Sequence, residues 1–135
     1  MDDRRNYVMK VATRMVTTDL LPDSGHVKAN GSSMKNIFVH HVFFWLKEPN
    51  NQESRTQFKK GLQQLITIPL LKNSHIGRPV ESAREVVDHS FTYSFIAFFR
   101  NKEDQDNYQI HPTHLQFIED CQHLWNKVVV YDAMD

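Results

Sequence analysis

The sequence predicts an α+β domain: a four-stranded antiparallel sheet with helices on one face. Three observations point there. Residues 37–46 form a run of β-branched and aromatic side chains, weaker runs of the same kind recur downstream, and the segments between them carry helical spacing and helix caps. At 135 residues, 40% of them hydrophobic and 24% charged, the chain has the size and composition of one soluble domain.

Taken in order, Ile-Phe-Val-His-His-Val-Phe-Phe-Trp-Leu at 37–46 predicts the first strand. Pro49 ends it, and Asn50 with Glu53 three residues on predicts a helix cap. Phe58, Leu62, Leu65 and Ile66 then recur on one helix face until Pro69 stops the helix. Residues 72–80 predict a weaker strand at a sheet edge, because Pro79 has no N–H to give a ladder. Residues 91–99 predict a third strand. Asn101, with Asp104 three residues later, opens a short helix that runs to Ile110. Pro112 suits the first turn of another, continued in phase by Leu115, Ile118, Cys121 and Trp125. Residues 128–131 predict the last strand. The order β-α-β-β-α-α-β is a ferredoxin-like arrangement whose second helix is broken at His111 and Pro112. The domain is therefore placed at 34–135. Residues 1–33, with turn formers such as Pro22, Gly25 and Gly31, are expected to be a poorly packed extension or leader.

Composition excludes several classes of partner. Formal net charge is +0 and no Lys/Arg run exists, so neither nucleic acid nor an acidic membrane surface is expected. No apolar run approaches the roughly 18–20 residues that cross a bilayer. The opening Met1-Asp2-Asp3-Arg4-Arg5 leads into no apolar signal region, so a cytosolic location is expected. Cys121 is the single cysteine. With Glu119 and Asp120 beside it a reactive thiolate is disfavoured, and a small buried side chain is expected instead.

The strands themselves predict a homodimer. Alternation puts Val39, His41, Phe43 and Trp45 on one face of the first strand and Phe38, His40, Val42 and Phe44 on the other. The third strand divides in the same way, with Phe91, Tyr93, Phe95, Ala97 and Phe99 opposite Ile96 and Phe98. Helices cover one face only, and an antiparallel sheet so covered should be polar outside. Burial of each large apolar group contributes about 1.5–3 kcal/mol, so a second copy is expected to shelter the uncovered face.

Histidines are the candidate chemistry, eight in all. His111 is placed to cap the helix that Pro112 opens, and His114 falls in its first turn. The positive end of the helix dipole there favours neutral imidazole, the form a general base needs. Tyr108 is near enough to donate a hydrogen bond to a carbonyl or enolate oxygen in the same pocket. The competing reading is structural, with these three groups fixing the helix break. His40 and His41 point to opposite faces and cannot share a metal. His111 and His114 lack a neighbouring carboxylate to complete a metal site, so neither metal nor cofactor is expected. His75, His89 and His123 read as loop or surface residues.

The His111-Pro112-Thr113-His114 signature preceded by Tyr108, the His-bearing first strand, Ile68-Pro69-Leu70 after the first helix and the terminal Val129-Val130-Tyr131-Asp132 resemble the stress-responsive dimeric A/B-barrel (Dabb) family over about residues 34–133. The resemblance implies a dimeric α/β barrel. Within the family the chain is most similar to plant polyketide cyclases of the olivetolic acid type, which implies Tyr108 and His114 as an acid/base pair and His41 as the first-strand histidine. Those cyclases carry a further histidine on the third strand, where this chain has Tyr93. His41, Tyr93 and His111 are accordingly the expected pocket or supporting residues. Three functions follow as alternatives: aldol-cyclase or lyase-like chemistry on a small hydrophobic carbonyl compound, non-catalytic binding of a hydrophobic small molecule in a stress-associated module, and monooxygenase-like activity of a related barrel.

Overall fold

The computed structural model describes residues 31–135, and its architecture turns on one interior strand. β1 (Phe38–Leu46) alternates buried and half-buried side chains along its whole length. It pairs antiparallel with β3 (Tyr93–Phe99) on one side and with β4 (Trp125–Met134) on the other. β2 (Leu71–Gly77) adds to β3, so the sheet order is β2-β3-β1-β4. The intervening helices are α1 (Gln52–Leu65), α2 (Lys102–Gln109) and α3 (Pro112–Cys121), followed by a 3-10 turn at Gln122–Leu124. This is the ferredoxin-like order, and Asn36–Asp135 forms one compact unit. Most of the expectation for residues 1–33 lies outside the described residues.

Local chemistry sets the helix ends. The Ser54 N–H donates to Asn51 Oδ1 at 2.9 Å, so Asn51 rather than Asn50 is the cap of α1. Asn101 caps α2 through the Asp104 N–H at 2.8 Å, as its sequence position implied. His111 caps α3, its Nδ1 accepting from the Thr113 N–H at 3.1 Å, with Pro112 in the first turn. α3 buries Phe117 and Cys121, whereas Leu115 is 54% exposed. Trp125 has left the helix to begin β4, because the 3-10 turn breaks the periodicity on which the longer helix rested.

The core lies between the helices and one face of the sheet. Phe58, Leu62 and Leu65 of α1, Tyr108 of α2 and Phe117 of α3 pack on Phe38, Val42, Phe44, Tyr93, Phe95, Ala97 and Phe99. Phe58 meets Phe44 edge-on with ring centroids 4.8 Å apart, and it also meets Tyr93 at 5.4 Å. Such aromatic pairs add about 0.5–1.5 kcal/mol each beyond area burial.

The other face carries Val39, His41, Phe43 and Trp45 with Ile96 and Phe98 and, from β4, Val129 and Tyr131. Among the described residues, the end of the β2–β3 loop reaches it. Phe91 lies edge-on to Phe43 at 5.0 Å, and Trp45 Nε1–H donates to Ser90 Oγ at 3.0 Å. Strict alternation had placed Phe91 with Tyr93. β3 begins only at Tyr93, so the parity does not extend back to Phe91. Tyr131 remains 65% exposed on this face. No helix among the described residues is long and apolar enough to cross a membrane.

α1 and α3 touch at Gly61. A Cβ there would stand 2.6 Å from Cys121 Sγ and 3.0 Å from Phe117 Cδ1. Cys121 is fully buried in this contact, and burial with the Asp120 carboxylate pushes its thiol up to about 11, so it acts as a small packing group. In an open helix interior Gly→Ala would gain about 1 kcal/mol. Here overpacking reverses the sign. Gly61→Ala is expected to destabilise the domain by about 1–3 kcal/mol in urea unfolding, and adding Cys121→Ala should restore part of the loss. A stabilised Gly61→Ala would show that the helices can separate freely.

Candidate active site

The buried face of the sheet does not close completely against the helices. A cavity of about 480 Å³ lies between β1, β4 and the α2–α3 break. Its walls are apolar, from Phe38, Val42, Phe44 and Phe95 of the sheet, Phe117 and Ile118 of α3, and Val128 and Val130 of β4. Four polar groups reach it beneath these walls: His40, Asp132, Tyr108 and His114. Lys102, Gln105, Asp106 and Gln109 of α2 complete the lining with a polar sector.

Each of the four is fixed by local structure. His40 is on the buried side of β1, and the antiparallel register sets Asp132 of β4 directly opposite it. His40 Nδ1–H donates to Asp132 Oδ1 at 2.6 Å, which fixes the tautomer and leaves Nε2 as the second ring nitrogen. Tyr108 is 1% exposed in the last turn of α2, and His114 sits in the first turn of α3. The break between the helices brings their rings together edge-on at 4.8 Å. The His40 ring stands 5.8 Å from that of Tyr108.

Burial governs the electrostatics. Desolvation lowers the His114 pKa below 6.5, and the neighbouring His40 and His111 lower it further. The helix dipole at the start of α3 also favours the neutral form. The direction agrees, but the main cause is removal from water. His114 Nδ1 is buried and has no hydrogen-bond partner. Burial also raises the Tyr108 hydroxyl well above its ordinary range, so it stays protonated and can donate. A neutral imidazole beside a protonated phenol in an apolar cavity can move a proton and stabilise oxygen charge. Among the described residues, no group of three His, Cys, Asp or Glu side chains is disposed to hold a metal ion.

Tyr108 and His114 thus meet in one cavity, but the other residues expected from sequence do not join them there. His41 projects from the opposite face of β1, in the cross-strand row His75, Ile96, His41 and Tyr131. Burial first, then its neighbours His75 and His40, lowers its pKa too. Of the two adjacent histidines, His40 and not His41, the one the resemblance implied, lies on the cavity side of β1. Tyr93 is buried against Phe58 of α1, with the Arg78 guanidinium 5.0 Å from its ring centroid, and lines a different depression. His111 serves as the α3 cap. Asp132 was missed as a site residue, although its place in a strand pairing with β1 was the signal that could have found it.

The sequence model for the Stress responsive A/B Barrel Domain matches residues 38–135. No curated protein matches the chain in sequence. Among solved structures, the chain is similar to a hydroxynitrile lyase from Passiflora edulis at 24% identity and TM-score 0.65, covering 76% of this chain and 95% of that one. It is similar to an Arabidopsis thaliana protein at 25% identity and TM-score 0.61, covering 73% and 94%. A third is a dimeric ferredoxin-like protein of unknown function from Thermobifida fusca at 20% identity and TM-score 0.61, covering 78% and 97%. The family match takes in both strands of the His40–Asp132 pair and the whole α2–α3 break, and the chain belongs to the Stress responsive A/B Barrel Domain family.

Proposed function

We propose that the domain, running from about residue 34 to 135, is a homodimeric enzyme performing acid/base chemistry on a small apolar carbonyl compound. The observation that carries this is the convergence of Tyr108, His114 and the His40–Asp132 pair on one apolar cavity. A module that only stored an apolar molecule would have no use for four convergent polar groups, of which His40 and Tyr108 are buried and costly to desolvate. The solved lyase of similar fold supports the reading.

In the aldol direction, His114 takes a proton from the carbon beside the carbonyl. The electron pair moves to the carbonyl oxygen, where the Tyr108 O–H donates a hydrogen bond to the developing charge. The enolate carbon attacks a second carbonyl, and the resulting alkoxide recovers a proton from His114. A lyase runs the same steps in reverse, the base taking a hydroxyl proton while the carbon–carbon bond breaks. His40, steered by Asp132, is a positioning group for the second oxygen. The uncovered face of the sheet is closed by a second copy, as the dimeric protein of the same fold supports.

Exchange of α-protons for deuterium in apolar ketones, followed by NMR, tests the chemistry without the natural substrate. The protein should accelerate exchange, and His114→Gln should cut that acceleration by roughly 10²–10⁴, with Tyr108→Phe also losing rate while dimerisation persists. Tight binding of such ketones with no exchange, or an undiminished His114→Gln, would return the cavity to a binding role. Because His114 must be neutral to act, the rate should fall on acidification with a midpoint below 6.5. A midpoint above that value would assign the base to another group. Phe43→Asp places a carboxylate on the uncovered face twice over in a two-fold pair. Sedimentation should then show monomers of unchanged circular dichroism, and a variant that stays dimeric would move the interface elsewhere.

A further inference from the structure

A second depression, of about 210 Å³, shares no lining residue with the catalytic cavity. One side is a stripe of α1 comprising Gln52, Arg55, Thr56 and Lys59, which the helical repeat sets on a common face. The other side is the end of β2 with Arg78 just beyond it, and Tyr93 forms the floor. Three of these residues are cations and none is a carboxylate.

The cations are not all engaged. Arg55 Nε is buried and has no hydrogen-bond partner, which is rare for a donor in a folded protein. Arg78 is held by its Nε–H, which donates to the Thr92 carbonyl at 2.9 Å, and by the Tyr93 ring against its guanidinium. Its two terminal nitrogens make no hydrogen bond among the described residues. Gln52 Nε2 donates to Thr56 Oγ1 at 3.3 Å, which leaves the Thr56 O–H free to donate. The whole stripe lies in the first turns of a 14-residue helix, whose positive dipole end adds to the same potential.

We propose that this depression is a binding site for a phosphate group. Two guanidinium forks and an ammonium, unopposed by any acid in the walls, match a dianion with several acceptor oxygens better than a single carboxylate. Tyr93 and Ile76 supply an apolar flank, which suits a phosphate ester over the free ion. The assignment stands independently of the acid/base chemistry.

The test titrates the full-length protein with inorganic phosphate and, separately, with phenyl phosphate, at constant ionic strength held by sodium chloride. Amide and Arg Nε–H resonances are followed by NMR. Saturable shifts should group at Arg55 to Lys59 and at Gly77 and Arg78. Tighter binding of phenyl phosphate identifies an ester site, and equal binding identifies a site for the phosphate alone. Arg55→Gln should weaken binding about tenfold or more, as expected for loss of a charged hydrogen bond, and Arg55→Lys should fall between. Lys59→Gln with Arg78→Gln, both at exposed positions, should give comparable weakening should Arg55→Gln fail to fold. Shifts reproduced by chloride, shifts centred elsewhere, or affinities unchanged in these variants would overturn the proposal.

Discussion

The position of β1 inside the sheet constrains everything else in the domain. With β3 and β4 on either side, its backbone cannot slip without losing two ladders, so the facing of every side chain along it is set. That one alternation sends Phe38, Val42 and Phe44 into the core and His40 into the cavity between them. It sends His41, one residue away, into a different environment altogether. The candidate site and the face without helices therefore lie on opposite sides of a single strand.

The cavity depends on a second constraint, the interruption between α2 and α3. A continuous helix would present one stripe to the sheet. The break allows Tyr108, at the end of one helix, and His114, at the start of the next, to approach from different axes and meet edge-on. His111 stabilises that break by capping α3 with its ring, so its work is architectural while its neighbours face the cavity. Removal from water then does for both groups what a specific partner would do elsewhere. It holds the imidazole neutral and the phenol protonated.

Much of this was legible in the residues. Strand runs, caps and proline punctuation yielded every strand and α-helix in order, because aromatic and β-branched runs bounded by strong turn formers leave few alternatives. The meeting of Tyr108 and His114 followed from the same punctuation. What the residues hid was of two kinds. Parity could not choose between His40 and His41 without knowing which face the helices cover, since both faces are apolar. Trp125 keeps helical phase with Cys121, so only the 3-10 turn, a feature without a periodic signature, reveals that it belongs to β4. Asp132 shows its importance only once β4 is paired with β1. The basic stripe on α1 was similarly silent, because Arg55 and Lys59 read as an ordinary solvated helix surface until Arg78 is brought beside them.

The bond between His40 and Asp132 spans 92 positions of chain. During synthesis the imidazole emerges early, and the carboxylate that steers it emerges among the last residues of the domain. Until the closing strand zips onto the sheet, that ring lacks the anchor that sets its tautomer. Completion of the chain thus completes the chamber: the last strand brings the Val128 and Val130 wall and the carboxylate that orients His40 in a single step.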